Sequence, residues 1–301
     1  MGTPSSAGTE KWLPELADLD LQPTAALLRL FVDGELAALE VLRQRLDQLV
    51  PVVDAVAARF AAGGRIVYAG AGTPGRLGLL DAAECGPTFS LSPERVTAVV
   101  AGGSPAATGA REDAEDHAED GRSAVSALAL HPADALIAVS ASGRTPFTLG
   151  AVGPARAAGA LTVAVVCDEG TPLAAAVDLT VELPLGPELL AGSTRLKAGT
   201  VQKVVVNALS TLVMVRTGRT FGNLMVDLRA ANAKLRDRAR RIVASATATD
   251  LATAEQLLGA TGGEVKTAIV TGLTGEPPAA ARARLARCGG RVRDALGAGR
   301  R

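Results

Sequence analysis

One glutamate is the acidic side chain best placed for proton transfer in this sequence, and a second lies in an acidic run. Glu84 closes a glycine-rich stretch, "GAGTPGRLGLLDAAE", and stands just before Gly86-Pro87, a pair that predicts the end of a helix. The negative end of a helix favours the protonated carboxyl that a general acid needs. Glu115 lies in the acidic run 111–120, on a helix that Ser104-Pro105 is expected to begin. Such runs are usually a solvated face, so spacing alone leaves the role of Glu115 open.

The glycine-rich stretch also offers a loop for a phosphate. Gly70, Gly72 and Gly75 follow an apolar run with G-x-G-x-x-G spacing. A dinucleotide fingerprint would need an acid at the end of the next strand, and "RVTAVVAGG" ends in glycines instead. We therefore favour a phosphate or sugar-phosphate cradle over a dinucleotide site or a plain tight turn. Thr73 is expected to cap the following helix and Pro74 to occupy its first position, and we assign Gly72 and Thr73 to substrate binding.

A second loop, "SASGRTPF" (140–147), follows another apolar run. Ser140, Ser142 and Thr145 offer three hydroxyls, and Gly143 permits a close approach of the backbone. The alternative is an ordinary helix cap with spare serines. Three hydroxyls within six residues after a buried strand favour ligand binding, so we predict that all three contact the substrate.

A third segment, "AGSTRLKAGT" (191–200), precedes a long helical stretch. Ser193 or Thr194 is expected to cap the helix, which leaves Arg195 and Lys197 in or beside its first turn. Cations are disfavoured there by the helix dipole. Either these side chains extend into solvent or an anionic ligand compensates them, and the residues alone leave both possibilities open. We assign Ser193 and Lys197 to substrate binding, where they would close the pocket.

Composition narrows the functional classes. The 301 residues carry 31 basic and 31 acidic side chains, so no basic surplus suggests a nucleic-acid or membrane partner. Two histidines and three widely spaced cysteines give no metal-ligand spacing, so we expect no Cys/His metal site. No signal peptide is evident, and the longest apolar segment, 204–215, is too short to span a bilayer. A cytoplasmic location is expected.

The elements that must position these residues follow from hydrophobic periodicity. Apolar runs of strand length alternate with helical segments, which predicts an α/β fold with a parallel sheet covered by helices on both faces. In such sheets ligands bind beyond the carboxyl ends of the strands, where the loops described above begin. The predicted strands are 65–70, 95–103, 135–142, 161–169 and 179–185.

Helical segments flank the sheet in sequence. The stretch 23–62 is amphipathic, with an expected break at Pro51 and a stop at Gly63-Gly64. Two long helices follow Ser193, one to about 218 and another from about 223 to 244. We divide the chain into residues 1–244, the α/β domain with its N-terminal helical segment, and residues 245–301, a small helical domain.

Taken together, "GAGTPGRLGLLDAAECGPT", "SASGRTPF", "GSTRLKAGTVQKVVVNALST" and "FGNLMVDL" resemble the N-acetylmuramic acid 6-phosphate etherases, a family with the sugar isomerase (SIS) fold. The resemblance runs from about Leu16 to Leu296. It implies a flavodoxin-like parallel sheet and removal of D-lactate from the C3 ether of the sugar, leaving N-acetylglucosamine 6-phosphate, without a cofactor. The catalytic glutamate of the family's "DASEC"-type segment falls on Glu84, and that of its "GAEDS"-type segment falls on Glu115.

The resemblance also implies a homodimer, and the apolar helix 201–217 would suit either a dimer interface or an ordinary core. Two other functions belong to related proteins: a non-catalytic phosphosugar sensor, as in glucokinase regulatory proteins, and a phosphosugar isomerase. The sequence departs from the family in carrying Pro74 where a serine is usual and Gly86 where a proline is usual. Loss of a phosphate-facing hydroxyl is expected to weaken binding by about 1 kcal/mol.

Overall fold

A computed structural model describes residues 8–103, 109, 112–228 and 232–297. The chain forms two compact units. The first comprises the residues up to Ala83 together with Pro93–Ser210, and the second comprises Glu84–Ser92 and the residues from Thr211 onward. The division after residue 244 that the sequence suggested falls inside a helix, Ala233–Thr247.

The first unit contains a parallel sheet of five strands in the order β2-β1-β3-β4-β5. Every residue of β1, β3 and β4 is buried, as expected for strands covered on both faces. The predicted α/β fold class is confirmed, and each strand lies within the run predicted for it. The strands are β1 (Ile66–Gly70), β2 (Val96–Val100), β3 (Ala135–Ser140), β4 (Leu161–Val166) and β5 (Leu179–Glu182).

Helices cover this sheet. They are α1 (Thr24–Gln44), α2 (Leu46–Ala61), α3 (Gly72–Phe89), α4 (Ala118–Ser126), α5 (Pro146–Ala157), α6 (Pro172–Ala176) and α7 (Lys197–Arg216). The N-terminal segment forms short 3-10 turns at Gly8–Glu10, Pro14–Leu16 and Leu19–Leu21.

The expected break at Pro51 is wrong, because the chain interrupts its helix at Arg45 and Pro51 lies inside α2. Proline removes one backbone hydrogen bond, and the burial of Leu49, Val52 and Val56 on the same helix outweighs that loss. The predicted stop at Gly63-Gly64 is confirmed: α2 ends at Ala61, and Gly63 has a φ of 93°.

Helix α7 is longer than its apolar run suggested. Its 20 residues are long and apolar enough, by length and composition alone, to cross a membrane. However, 56% of its most apolar stretch of 18 residues is buried inside the protein. Val201, Val205 and Leu209 are fully buried. The sequence left open whether this helix forms a dimer interface or part of an ordinary core, and the burial of these residues favours the core.

Among its described residues, the second unit has helices and a short antiparallel pair, β6 (Thr220–Phe221) with β7 (Leu224–Met225). The predicted helix start at about 223 is wrong, because this pair lies there and the helix begins at Ala233. Its helices are α8 (Ala233–Thr247), α9 (Leu251–Ala260), α10 (Val265–Thr274), α11 (Pro278–Arg287) and α12 (Val292–Ala295). Ile242, Val243, Ala254 and Ile269 belong to a common buried core.

Candidate active site

Two loops meet where the sheet changes its winding direction. β1 and β3 are neighbours, with Gly70 in register with Val139, although β2 intervenes between them in sequence. Loops that follow two such strands border a crevice, the usual ligand position in an open α/β sheet. The glycine-rich loop after β1 and the hydroxyl-rich loop after β3 are therefore adjacent.

The glycines of the first loop have different physical roles. A Cβ on Gly75 would lie 2.5 Å from the carbonyl oxygen of Gly70 and 2.8 Å from Cγ1 of Val100, so this glycine lets α3 pack directly on the sheet. Gly72 has open space around it but a φ of 57°, which L residues rarely adopt. Part of the G-x-G-x-x-G pattern thus serves helix–strand packing, and Gly72 shapes the turn.

Helix α3 begins at Gly72, so Thr73 lies inside its first turn and is not the cap that the sequence predicted. Pro74 remains in the first turn, where its missing N–H would have had no helical partner. The N–H of Gly75 is directed at the carbonyl of Ala71, at 3.5 Å. The N–H groups of Gly72 and Thr73 lie in this first turn, where N–H groups have no partner within the helix and can donate to an anion.

The loop after β3 divides its hydroxyls into inner and outer groups. Ser140 is buried; its Oγ accepts the N–H of Gly143 at 3.0 Å and lies 2.9 Å from Oγ1 of Thr145. Oγ of Ser142 accepts the N–H of Arg144 at 3.2 Å. Ser142 and Thr145 are half-buried, and in the described part of the chain no acceptor takes the hydroxyl proton of Ser142. Ser140 thus braces the loop, and the other two remain the better ligand donors.

Gly143 lets this loop pack closely on its neighbour. A Cβ at Gly143 would lie 2.4 Å from Oγ1 of Thr171, the residue that caps α6. The φ of Gly143 is 63°. The predicted need for glycine at this position is therefore steric and conformational, and it fixes the loop after β3 against the loop after β4.

The third segment differs from its prediction. Helix α7 begins at Lys197, so Leu196 stands at the N-cap position and Ser193 and Thr194 lie further upstream. The cap is Glu188, whose Oε2 accepts the N–H of Lys197 at 3.2 Å and whose Oε1 accepts the N–H of Ala198 at 3.0 Å. Ser193 is half-buried and precedes the helix by four residues. Capping patterns in a sequence concern the residues next to the helix start. They therefore cannot predict a cap such as Glu188, which lies nine residues before Lys197.

Glu188 also supplies the anion expected near Lys197. Burial lowers the pKa of Lys197, and the carboxylates of Glu188 and Glu35 oppose that shift. Burial raises the pKa of Glu188, and the N–H groups of Ala198 and Lys197 counteract the effect. The Arg195 side chain is exposed. Of the two possibilities that the sequence left open, extension into solvent therefore applies to Arg195.

The first turns of α3 and α7 are in contact. A Cβ at Gly199 would lie 3.3 Å from Cγ2 of Thr73. Gly199 is buried, and its lack of a side chain lets Thr73 approach the helix start that carries Lys197. The structure thus brings together Gly72, Thr73 and the first turn of α7, three of the elements singled out from sequence.

Glu115 lies on a 3-10 turn, Glu112–Asp116, and not on the predicted helix, which begins only at Ala118 as α4. The predicted helix start at Ser104-Pro105 lies outside the described residues. Ala114 packs against a cluster of Ala71, Ala101 and Phe147. Ala71 and Ala101 follow β1 and β2, and Phe147 opens α5, so the turn with Glu115 lies near the carboxyl ends of the strands. The Glu115 side chain is exposed.

Glu84 lies on the part of α3 that belongs to the second unit. The expected helix stop at Gly86-Pro87 is wrong, because α3 continues to Phe89. Cys85 and Phe89 are buried, and that burial outweighs the hydrogen bond lost at Pro87. The side chain of Glu84 is exposed. Its pairing with Glu115 in proton transfer stays a prediction.

Asp81 is a further residue that sequence reasoning missed. It is buried, and its carboxylate accepts hydrogen bonds from Tyr68, Asn207 and Ser210. These bonds join α3 to β1 and α7. Its signal in the sequence was a charged residue among apolar ones, "GLLDAAE", one helical turn before Glu84. In the described residues, no group of three or more His, Cys, Asp or Glu side chains is arranged to hold a metal ion.

Comparison with known proteins identifies the family. A Rubrobacter xylanophilus protein named N-acetylmuramic acid 6-phosphate etherase is 53% identical over 97% of this chain and 97% of its own. A Streptomyces coelicolor protein with the same name is 51% identical over 96% of this chain and 93% of its own. This chain belongs to the N-acetylmuramic acid 6-phosphate etherase family.

The fold of this etherase-family chain is found more widely. The profile of the glucokinase regulatory protein N-terminal SIS domain matches residues 48–155, the part that carries the loops after β1 and β3 together with both glutamates. A Bacteroides fragilis protein described as a candidate phosphosugar isomerase involved in capsule formation superposes with a TM-score of 0.50 at 18% identity, over 65% of this chain and 92% of its own. The resemblance to the etherases and the SIS fold are both confirmed.

Proposed function

We propose that this member of the etherase family cleaves the D-lactyl ether of N-acetylmuramic acid 6-phosphate to give N-acetylglucosamine 6-phosphate and D-lactate, in amino-sugar catabolism. The observation that carries the proposal is identity of about one half, along nearly the whole chain, to relatives named for this reaction. The motifs for binding and proton transfer are all within the matched length.

The reaction explains why two acids are needed. In the open-chain sugar the C1 aldehyde acidifies the C2 proton, and one carboxylate removes it. The electrons form a C2–C3 double bond as the C3–O bond breaks, and a protonated acid delivers a proton to the departing lactate oxygen. Water then adds to C3. In this scheme Glu84 is the acid and Glu115 is its partner at C2.

Binding of the sugar phosphate is assigned to the adjacent loops of the first unit. The N–H groups of Gly72 and Thr73 and the hydroxyls of Thr73, Ser142 and Thr145 are donors of the kind that phosphate oxygens accept. Ser140 acts by bracing its loop, as its buried contacts indicate. Ser193 and Lys197 close the pocket. Pro74 supplies neither an N–H nor a hydroxyl, so we expect weaker phosphate binding than in relatives with serine there.

We further infer a cytoplasmic homodimer that requires no cofactor. The fully buried residues of α7 argue against that helix as the main dimer interface. Helix α1 is a better candidate, because Leu28, Phe31, Val32 and Leu36 are exposed on it and only Ala38 and Leu42 are buried. Light scattering of the purified chain measures this oligomeric state.

The function is tested by incubating the purified protein with N-acetylmuramic acid 6-phosphate and measuring D-lactate and N-acetylglucosamine 6-phosphate. Stoichiometric release of both supports the proposal. Thermal stabilisation by phosphosugars without lactate release would contradict it and indicate a sensor. Interconversion of aldose and ketose phosphates without lactate release would indicate an isomerase.

A further inference from the structure

The start of α7 is held by a carboxylate from outside the helix. Glu188 is 2% exposed, and its two oxygens accept the N–H groups of Lys197 and Ala198. The first N–H groups of a helix have no partner within it, and an anion there also interacts favourably with the helix dipole. Glu188 therefore occupies the place at α7 that a ligand phosphate would otherwise take.

The same carboxylate lies beside the Lys197 side chain. Lys197, Glu188 and Glu35 line a cavity of 120 Å³ whose other walls are mainly apolar, among them Leu13, Leu16, Leu30 and Phe31. Burial disfavours a charged ammonium in such surroundings, and the two carboxylates are the charges that oppose this effect. Glu188 thus holds the backbone of Lys197 through a hydrogen bond and stabilises the positive charge of its side chain.

The restraint extends to the loop after β1. Gly199 is two residues beyond Lys197, and its Cα approaches Thr73 so closely that an added Cβ would lie 3.3 Å from Cγ2 of Thr73. A shift of the first turn of α7 would therefore change the packing under Thr73. A contact chain runs from Glu188 through this turn to a residue assigned to the substrate.

We propose that Glu188 is a positioning residue for substrate binding: by capping α7 it fixes Lys197 and, through Gly199, Thr73 in the geometry that receives the phosphorylated sugar. This inference rests on the proposed function, because it takes Thr73 and Lys197 as substrate-binding residues. It also assigns the phosphate to the loops after β1 and β3, since the start of α7 is already occupied.

The experiment compares Glu188→Ala, Glu188→Gln and a cap control, Asp250→Ala. Asp250 caps α9 in the second unit by accepting the N–H of Thr253 at 2.7 Å, so its loss reports the general effect of an uncapped helix. For each variant we would measure kcat and KM for lactate release, the melting temperature, and binding of N-acetylglucosamine 6-phosphate by calorimetry. The last measurement does not depend on turnover.

Glu188→Ala is expected to raise KM and the product Kd by about tenfold, the factor that loss of a hydrogen bond to a charged group corresponds to, with kcat within about twofold. Glu188→Gln retains one acceptor oxygen and should recover part of the affinity. Asp250→Ala should lower the melting temperature with KM and Kd unchanged. If Glu188→Ala does not fold, Glu188→Gln carries the same comparison.

Unchanged KM and Kd in both Glu188 variants would overturn the inference, as would equal changes in Asp250→Ala. If the wild-type protein binds the product but releases no lactate, the etherase proposal fails, and the Kd comparison still decides the role of Glu188. If the wild-type protein neither binds the product nor releases lactate, the proposed function and the inference fall together.

Discussion

The hydroxyl of Tyr68 donates a hydrogen bond to Oδ2 of Asp81 at 2.8 Å, which joins the middle of β1 to α3. Oδ1 of Asp81 accepts Nδ2 of Asn207 at 2.7 Å and Oγ of Ser210 at 2.9 Å, both on α7. Both oxygens of this buried carboxylate on α3 thus accept hydrogen bonds from two other elements of the first unit, β1 and α7. Such a network holds α3 and α7 in one arrangement on the sheet.

We expect Asp81→Ala to destabilise the fold by about 3 kcal/mol, because it leaves two buried donors and one half-buried donor without this acceptor. Tyr68→Phe removes a single donor and should cost about 1 kcal/mol. Urea unfolding of both variants measures the difference. Equal losses for the two substitutions would contradict the network as described.

The two glycines of the first loop should respond differently to alanine. Gly75→Ala places a Cβ against the backbone of Gly70 and should cost more than about 2 kcal/mol, since backbone atoms must move. Gly72→Ala meets open space and should cost about 1 kcal/mol, for its φ of 57° alone. Thermal unfolding checks the order. A Gly75→Ala protein as stable as wild type would refute the packing argument.

Asp134 should make the free energy of unfolding depend on pH in the acidic range. Burial raises the pKa of Asp134, but hydrogen bonds from the side chain and N–H of Arg65 and from the N–H of His131 outweigh it, and the pKa lies below its ordinary value. Because the folded pKa is below the unfolded one, this stabilisation is complete above about pH 4 and is lost as the pH falls through the folded pKa.

Asp134→Asn is therefore expected to lower the free energy of unfolding by about 2 kcal/mol at pH 7, and by progressively less below pH 4. Urea titrations between pH 7 and pH 3 measure the difference. Asp20→Asn, at an exposed position in the N-terminal segment, serves as the control and should change little at any pH. A pH-independent difference for Asp134→Asn would show that its charge is not the cause.

Substitution of Ser140 should mainly lower the stability of the protein, whereas substitution of Ser142 should mainly weaken its affinity for the substrate. Ser140→Ala leaves the buried N–H of Gly143 without its acceptor and should cost about 1 to 2 kcal/mol of stability. Ser142→Ala should change stability by less than about 0.5 kcal/mol while raising KM several-fold. Steady-state kinetics and thermal unfolding on the same samples test both. Wild-type KM in Ser142→Ala would remove Ser142 from the substrate contacts.

The proposed acids can be tested by amide substitution. Glu84→Gln and Glu115→Gln should each reduce kcat for lactate release about 100-fold or more, because proton transfer is lost while the shape is kept. Binding of N-acetylglucosamine 6-phosphate should persist in both. Glu119→Gln is the matched control, since Glu119 is exposed and pairs only with the exposed Arg122 among the described residues. Full turnover in Glu84→Gln would reject its catalytic role.

The sequence by itself determined the fold class and the family. Strands buried on both faces need uninterrupted apolar residues, and helices need a 3.6-residue period, so both patterns can be read locally. The runs around Val67, Ile137 and Val163 therefore predicted a parallel sheet correctly. Ordered motifs then identified the family, because the loops after strands carry the residues that contact ligands.

Only the tertiary structure decided which residues support the loops and helices of the candidate site. Glu188 caps a helix from nine residues away, and Asp81 satisfies donors 126 and 129 residues further along the chain. Gly75 is required by a neighbouring carbonyl, whereas Gly72 is required by its own φ. Local periodicity cannot encode such relationships, because they depend on which strands and helices become neighbours once the chain has folded.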